Sequence, residues 1–310
     1  MTQLLTSLEN LPSELLGGVV AVGNFDGVHR GHQVLIKRLV QIASELGGPA
    51  LVMTFDPPPQ AVLFPEREQI PPLTPIPLRA KLLGDLGVAA LLAYPTDEAL
   101  LSMSAKAFFE RIIADQLAAR AMVEGPNFRF GKDRLGDVRM LANLCQSANI
   151  KFEAVSPEAN ASGMISSSRI RRDLVEGDIQ AATAMLGRSY EVTGVVEHGA
   201  GRGHDLGFAT ANLAQISNLL PARGVYAGRV IVGEREFAAA INIGPNPTFG
   251  ESHDKLEVHV IGWNGELYEQ ALTCQITHRI RDLIKFETVD ELKSQIAADI
   301  EACRQIHDVS

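Results

Sequence analysis

The sequence predicts an α/β plus β fold with two domains, a parallel sheet covered by helices followed by a smaller antiparallel β-barrel with a terminal helix. Three observations predict it. The chain has 310 residues, about twice the commonest domain size. Apolar runs alternate with amphipathic segments up to about residue 185. From residue 186 the segments become short, β-branched and bounded by turns. We therefore divide the chain into domains 1–185 and 186–310.

Strand–helix alternation defines the first domain. Residues 18–22 (GVVAV) have the pattern of a buried strand, and 29–46 carry apolar residues at helical spacing until Gly47 ends the helix. The other predicted strands are 50–55, 88–93 and 121–124, and the other predicted helices are 77–86, 105–116, 136–147 and a joining helix 166–187. Ligands of such folds bind at the carboxyl ends of the strands, where the glycine-rich turns fall in this chain.

The second domain has the pattern of a small barrel. Its predicted strands are 190–196, 224–232, 236–243, 255–261 and 269–280. Helical spacing returns over 289–306 through Leu292, Ile296 and Ile300. We therefore expect an antiparallel barrel or sandwich with a terminal helix packed on it.

Composition excludes several functional classes. The chain is 46% hydrophobic and 21% charged, which is typical of a globular protein. A net charge of −9 and an aromatic content of 5% disfavour nucleic-acid partners. The apolar runs are too short to span a bilayer, and the N-terminus lacks the basic start and apolar core of a signal peptide. Three widely spaced cysteines indicate buried or free thiols. We predict a cytoplasmic location, small-molecule partners and no membrane partner, and leave the oligomeric state undetermined.

The first candidate site is 23–32, GNFDGVHRGH, which follows a buried strand and opens a helix. His29 and His32 share one helix face beside unpaired backbone N–H groups, an arrangement that suits a polyphosphate. Gly31 keeps the backbone low enough for a nucleotide to approach. Surface histidines that cap a helix are the structural alternative. The other candidate nucleotide-binding residues of this turn are Gly23, Asn24, Phe25 and Asp26.

Two later segments are candidates to complete the first pocket. Residues 125–131 read GPNFRFG, where Asn127 and Arg129 flank Phe128 inside a locally basic stretch. Residues 165–172 read ISSSRIRR, in which hydroxyls precede a helix. Ser167, Ser168 and Arg171 are candidates to bind phosphate oxygens. Ordinary helix capping by the serines is the alternative.

The second candidate site lies in 199–212, GAGRGHDLGFATAN. Gly201 and Gly203 allow the backbone to wrap an anion, and Thr210 and Asn212 offer oxygen ligands suited to Mg²⁺. A glycine-rich hairpin with polar capping is the alternative. Further on, Glu257 alternates with apolar residues in LEVHV and is a candidate general base for an alcohol. A solvated strand face is the alternative there.

Several motifs resemble one family. GNFDGVHRGH, FDP at 55–57, NFRFG and ISSSRIR occur in the order seen in bacterial bifunctional riboflavin kinase/FAD synthetases (FMN adenylyltransferases). GFATAN, LEVHV followed by ELY, and IRDLIKF resemble that family's kinase motifs. The resemblance implies a Rossmann-like nucleotidyltransferase domain and a riboflavin kinase barrel. It implies ATP as co-substrate, Mg²⁺ as cofactor, and riboflavin, FMN and FAD as substrates and products.

The resemblance also assigns roles to residues. It implies that Glu257 is the kinase's catalytic residue, that Thr210 and Asn212 hold the metal, and that His29 and His32 face the triphosphate in adenylyl transfer. The candidate flavin-binding residues are Asp56, Phe128 and Arg281.

The chain departs from the family's usual pattern at a few positions. Ala209 stands where proline is usual, Pro58 where a polar residue is common, and Gly262 and Trp263 where an acidic–aromatic pair is usual. Three alternatives therefore stay open. One is an adenylyltransferase with an impaired kinase site. Another is a non-catalytic flavin-binding protein. The third is a different H-x-G-H transferase, such as one acting on pantetheine phosphate.

Overall fold

The computed structural model describes residues 2–9, 11–156, 159–160, 163–198, 207–245, 248 and 254–307, and for 159–160 the backbone alone. These form two compact units. The first comprises Met1–Ile70 and Thr74–Ser167, and the second comprises Pro71–Leu73 and Ser168–Ser310. Each unit has its own sheet and its own buried core.

A six-stranded parallel sheet forms the centre of the first unit, in the order β1-β4-β3-β2-β5-β8. The strands of this unit are β1 (Gln3–Leu5), β2 (Val19–Val22), β3 (Ala50–Asp56), β4 (Ala90–Pro95), β5 (Ala121–Glu124), β6 (Arg129–Phe130), β7 (Gly136–Asp137), β8 (Lys151–Ala154), β9 (Ala159–Asn160) and β10 (Gly163–Met164). The chain moves outward on one side of β2 and then crosses back to place β5 on the other side. The gap between β2 and β5 is therefore the topological switch point, where open α/β sheets bind ligands.

Helices cover both faces of this sheet, as predicted. The helices are α1 (Arg30–Leu46), α2 (Pro59–Leu63), α3 (Ile76–Asp85), α4 (Glu98–Ser102), α5 (Ala105–Phe108) continued by a π-helix (Phe109–Gln116), and α6 (Val138–Ser147), with 3₁₀ turns at Ser13–Leu15 and Lys132–Arg134. The next helix, α7 (Ser167–Glu176), belongs to the second unit from Ser168 onward. Val19 and Ala21 of β2 pack with α1 and α3, whereas Val20 and Val22 pack with α5 and α6. The all-apolar pattern of β2 follows because both of its faces are buried.

The second unit is a closed antiparallel barrel with strand order β11-β12-β15-β14-β13-β16. Its elements are α8 (Ile179–Leu186), β11 (Tyr190–Glu197), β12 (Ala211–Ala214), β13 (Gly224–Val232), β14 (Arg235–Gly244), β15 (Lys255–Val260), β16 (Ala271–Arg281) and α9 (Val289–His307). Ile296, Ile300 and Cys303 of α9 pack against the small residues Ala227 and Ala238 on the barrel wall. The predicted barrel and its terminal helix are thus confirmed.

Several elements differ from the predictions. The joining helix 166–187 is two helices, because Gly177 adopts a φ of +82° and Asp178 caps the next helix through the N–H of Ala181. The helix predicted over 136–147 begins at Val138 because the carboxylate of Asp137 caps it. The strands β1, β8 and β12 were not predicted. They are short or partly exposed, so their apolar patterns are weak.

Two further findings concern the side chains and helices of the described ranges. The three cysteines are buried and free, and burial raises the pKa of each thiol to about 12, so they are unreactive. Within the described ranges, the helices are all too short or too polar to cross a membrane.

Candidate active sites

The turn that follows β2 lies at the switch point of the parallel sheet. β2 and β5 pair only at Val19↔Ala121 and Val20↔Met122, and then diverge. The buried side chain of Glu124 enters this gap, and its Oε1 accepts a hydrogen bond of 2.6 Å from the N–H of Val22. Burial raises the pKa of Glu124 well above its ordinary range. The strands are therefore held apart at their carboxyl ends, and the turn from Gly23 begins at this opening.

Three residues of this turn have left-handed backbone conformations. Phe25 has a φ of +47°, Gly27 of +87° and Val28 of +40°. Such a conformation costs about 1–3 kcal/mol at a non-glycine residue, so the surrounding structure has to impose it. Phe25 and Val28 are 4% and 1% exposed, which shows that packing holds both side chains.

A buried polar network supports the turn from below. The carboxylate of Asp26 accepts hydrogen bonds from the N–H of Thr74 at 2.9 Å and from Nη2 of Arg79 at 3.0 Å. The Thr74 hydroxyl accepts from the N–H of Gly27 at 2.9 Å and donates to Asp26 at 3.1 Å. Nη1 of Arg79 donates to the carbonyl of Asn24 at 2.7 Å. Asp26 is therefore a structural residue of the turn in this state, and its carboxylate points into the protein.

The two histidines stack on each other at the start of α1. Their ring centroids lie 3.6 Å apart with 16° between the planes, and Phe25 contacts His32 edge-on at 5.2 Å. His29 caps the helix, since its Nδ1 accepts a 3.3 Å hydrogen bond from the N–H of His32. A Cβ at Gly31 would lie 3.3 Å from the His29 ring, which is tighter than an ordinary van der Waals contact, so glycine leaves room for the ring.

The protonation state of His32 follows from its surroundings. Burial, with the neighbouring His29 and the positive charge of Arg79, holds the pKa of His32 well below its ordinary value of 6.5. Among the described residues, Nδ1 of His32 is buried without a hydrogen-bond partner. A neutral imidazole with an unpartnered nitrogen is suited to take up a ligand, because burying that nitrogen unsatisfied costs free energy.

The remaining predicted residues of the first site are placed as follows. Ser167 Oγ donates a 2.8 Å hydrogen bond to the carbonyl of Asp26, which joins the start of α7 to the turn. Ser168 and Arg171 follow on α7 within the second unit, where Ser168 is exposed and Arg171 is half-buried. Asp56 is exposed at the carboxyl end of β3. All of these roles stay predictions.

The segment after β5 forms a cavity beside an aromatic pair. Phe128 stacks on Phe130 at 5.3 Å with 12° between the rings. Asn127, Arg129 and Arg139 line an adjoining cavity of about 260 Å³. Because this segment continues from β5 as the histidine turn continues from β2, the two sets of candidates lie at the same edge of the sheet.

In the barrel, strand register brings the candidate kinase residues together. Glu257 lies directly opposite Asn212 on one neighbouring strand and opposite Asn242 on the other. Directly opposite residues share a face and have Cβ atoms about 5 Å apart. Thr210 immediately precedes β12 and is half-buried like Glu257. The predicted metal ligands and the predicted base are therefore neighbours on one wall. Gly201 and Gly203 lie outside the described residues.

The donor set of this wall fits Mg²⁺. A hydroxyl, an amide oxygen and a carboxylate are hard oxygen donors, and Mg²⁺ commonly takes one or two carboxylates with phosphate and water oxygens. Within the described residues, no cluster of three or more histidine, cysteine, aspartate or glutamate side chains offers a self-contained metal site. A metal bound here would therefore depend on substrate oxygens.

Two of the residues that depart from the usual motifs make defined contacts within the barrel. The carbonyl of Ala209 is 2.8 Å from Nδ1 of His259, so a hydrogen bond holds the residue that replaces proline. Trp263 packs edge-on against Phe237 at 5.5 Å, near the start of β14. Asn242 is five residues further along β14, about 17 Å at strand spacing. Trp263 therefore lies at the opposite end of the barrel wall from Glu257.

Arg281 is engaged within the protein. Its Nε and Nη2 donate to both carboxylate oxygens of Asp299 on α9, at 2.9 and 2.6 Å. Gln295 also donates to Asp299 at 2.9 Å. A cavity of about 530 Å³ adjoins Gln295 and Phe286. The guanidinium fork thus fixes α9 on the barrel, and a direct flavin contact by Arg281 stays a prediction.

Sequence reasoning missed four residues of these sites. Thr74, Arg79 and Glu124 are buried polar groups that lie in the first site, and Asn242 is the cross-strand neighbour of Glu257. One signal was available for Arg79, which lies four residues before the buried Leu83 on the core-facing side of α3. A charged residue at such a position is rarely buried without a partner.

Two protein families match separate parts of this chain, one in each of the two predicted domains. Residues 11–169 match the model of the FAD synthetase family, and residues 186–307 match the model of the riboflavin kinase family. A bifunctional riboflavin kinase/FMN adenylyltransferase of Pseudomonas fluorescens is 34% identical over 305 residues, which cover 98% of this chain and 97% of the relative. A protein of the same description from Escherichia coli (strain K12) is 32% identical over 294 residues, covering 94% and 93%.

One solved structure resembles the whole chain. It is described as a macrolide-efflux protein from Streptococcus pneumoniae, with a TM-score of 0.87, 30% identity and 98% of each chain covered. A chain with elements that match both the sheet and the barrel of this protein is therefore known from an experimental structure.

Proposed function

This chain belongs to the family of bifunctional riboflavin kinase/FMN adenylyltransferases, and on that premise we propose which residues carry out each of its two reactions. As an enzyme of this family it phosphorylates riboflavin with ATP to give FMN, and it transfers the adenylyl group of ATP to FMN to give FAD and pyrophosphate. The observation that carries the assignment is the placement of the stacked histidines at the switch point of the unit matched as FAD synthetase.

In adenylyl transfer, a phosphate oxygen of FMN attacks the α-phosphorus of ATP and the bond to pyrophosphate breaks. The nucleophile is already ionised, so the protein contributes mainly position and charge stabilisation. His29 and His32 face the triphosphate, and the unpartnered Nδ1 of His32 is the atom that would gain a partner there. The first N–H groups of α1 add donors for the phosphate oxygens. Ser167, Ser168 and Arg171 bind the leaving pyrophosphate.

Adenosine and flavin are bound by the loops on either side of the histidines. The candidate nucleotide contacts are Gly23, Asn24, Phe25, Gly31 and Asn127. The candidate flavin contacts are Asp56, at the carboxyl end of β3, and Phe128, which presents a half-buried aromatic ring.

In the kinase reaction, the 5′-hydroxyl of riboflavin attacks the γ-phosphorus of ATP and ADP leaves. An alcohol is a poor nucleophile at neutral pH, so the carboxylate of Glu257 accepts its proton. Thr210 and Asn212 are the residues that would hold Mg²⁺. The metal would neutralise phosphate charge when bound.

We place the catalytic domains at 1–185 and 186–310. The riboflavin kinase match begins at residue 186, whereas α7 and α8 cluster with the barrel. We also propose a cytoplasmic location with small-molecule partners only, which the net charge of −9 supports.

A time course with the purified chain tests the function. With riboflavin, ATP and Mg²⁺, FMN should form first and FAD second. Chromatography of samples taken over time measures both products. If no FMN forms from riboflavin while supplied FMN is still converted to FAD, the result would instead favour an adenylyltransferase with an impaired kinase site. The position of Trp263 at the opposite end of the wall from Glu257 argues against that alternative. Flavin binding without ATP consumption would refute catalysis.

A further inference from the structure

Arg79 is a buried arginine beneath the catalytic turn of the first unit. Its side chain is 7% exposed, and the Asp26 side chain that it pairs with is 8% exposed. Nη1 donates to the carbonyl of Asn24 at 2.7 Å and to the Thr54 hydroxyl at 3.2 Å. Nη2 donates to the Asp26 carboxylate at 3.0 Å and to the carbonyl of Thr74 at 2.8 Å. One guanidinium therefore contacts both β3 and the turn that follows β2.

We propose that Arg79 is a positioning residue for adenylyl transfer: its guanidinium fixes the backbone of residues 24–28 and thereby places His29 and His32 against the triphosphate of ATP. This inference rests on the proposed role of the two histidines. Arg79 itself contacts neither substrate nor reacting atoms in this account.

The conformation of the turn explains why such a support is needed. Phe25 and Val28 have positive φ angles, which an unsupported chain would relax. Arg79 bonds the residues on both sides of Phe25, through the carbonyl of Asn24 and the carboxylate of Asp26. His29 follows Val28 directly and caps α1. A change in the turn therefore moves the His29 ring, and with it the stacked ring of His32.

The chemistry of the side chain explains why arginine is present. A planar guanidinium donates several hydrogen bonds in fixed directions, whereas a lysine ammonium is a point charge on a flexible stem. A lysine at this position could keep the charge beside Asp26 but could not bond Asn24 and Asp26 in the same geometry. The positive charge has a second effect, because it contributes to the lowered pKa of His32. Substitutions at Arg79 can therefore separate the effect of its directed hydrogen bonds from the effect of its positive charge.

Arg79→Lys and Arg79→Met provide the test, with Arg67→Met as the control at an arginine whose side chain is 69% exposed. Rates of FAD formation from supplied FMN are measured against ATP concentration. Riboflavin phosphorylation by the same protein is measured in parallel. Hydrogen exchange of the β3 amides reports whether the first unit is folded, and NMR titration of labelled histidine reports the pKa of His32.

We expect Arg79→Lys to lower kcat for adenylyl transfer by roughly 100-fold, as for a displaced catalytic group. Its riboflavin phosphorylation and β3 protection should be unchanged. Arg79→Met should in addition raise the pKa of His32, while Arg79→Lys should leave it near the wild-type value. The control Arg67→Met should match the wild type in every measurement.

Two results would overturn the inference. One is a wild-type rate of adenylyl transfer in Arg79→Lys. The other is a loss of transfer that always accompanies lost β3 protection, because Arg79 would then serve the fold alone. Failure of the underlying histidine assignment is distinguishable, since His32→Ala would then retain transfer.

Discussion

Glu124 is a buried carboxyl group at the opening of the sheet. Its carboxyl group accepts a hydrogen bond from the N–H of Val22, a residue of β2 that no longer pairs with β5. This contact lies at the switch point of the first unit. Burial raises its pKa well above the ordinary value of 4.5. The protonated form is therefore the one that the folded state favours.

The pH dependence of stability follows from this shift. The stabilisation by protonated Glu124 is fully present below pH 4.5 and is lost as the pH rises through the raised pKa of the folded state. Glu124→Gln keeps an acceptor for Val22 and does not titrate. We therefore expect the variant to gain stability over the wild type progressively as the pH rises above about 4.5.

Urea unfolding of the wild type, Glu124→Gln and the exposed control Glu110→Gln between pH 5 and pH 9 checks this, with circular dichroism as the signal. The fluorescence of Trp263, the one tryptophan, monitors the barrel separately. A constant difference between Glu124→Gln and the wild type across this range would contradict the account.

Individual site residues differed in how far sequence could reveal them. His29 and His32 were found because their spacing and the flanking glycines are local features. Arg79 and Glu124 were not, because their partners Asn24 and Val22 are 55 and 102 positions away in sequence. Only the packing of α3 and β5 against β2 and its turn shows that these polar groups are buried and hydrogen-bonded.

At the scale of elements, α9 is attached to the barrel by apolar packing and by one buried ion pair. The Arg281 and Asp299 side chains are 17% and 6% exposed, and they contact each other through two guanidinium nitrogens. Removing one partner of a buried pair typically costs about 3–5 kcal/mol, because the other charge stays buried. Gln295, which donates a hydrogen bond to Asp299, lines the 530 Å³ cavity.

Arg281→Met should therefore lower the free energy of unfolding of the barrel by about 3 kcal/mol. Arg304→Met is the control, because it removes an exposed pair with Glu301 and should cost under about 1 kcal/mol. Urea unfolding followed by Trp263 fluorescence measures both. Equal effects of the two substitutions would contradict the buried pair.

The double variant Arg281→Met, Asp299→Leu separates structure from flavin binding. It should regain stability, since no charge is left unpaired. If Arg281 affects riboflavin binding only by holding α9, the KM for riboflavin in the double variant should be closer to the wild-type value than the KM of Arg281→Met alone. A KM that stays high would support a direct flavin contact.

Elements were predictable where their patterns are strong. β2 and α1 carry long apolar repeats and a glycine stop, and they occur as predicted. The break at Gly177 was missed because helical spacing continues on both sides of it. β12 was missed because only Leu213 of its four residues is buried. Its importance comes from its partner strands, which place Asn212 beside Glu257.

At the scale of the whole molecule, each unit has its own sheet, its own core and its own group of candidate residues. The histidine pair and its supporting network lie in the first unit, whereas Glu257, Thr210 and Asn212 lie in the second. Length and the change in segment pattern near residue 186 predicted two domains. In the structure, the second compact unit already begins at Ser168. This earlier boundary depends on the packing of α8 against β11 and β16, which no local sequence pattern shows.

In the proposed function, two independent sites of this chain act in sequence through FMN. Mixing two inactive variants tests it most directly. His32→Ala should form FMN from riboflavin but no FAD, and Glu257→Ala should form FAD only from supplied FMN. Incubated together with riboflavin, ATP and Mg²⁺, the two variants should restore FAD formation through FMN released by one and taken up by the other. A mixture that forms no FAD, although each variant is folded and keeps its one activity, would contradict the account.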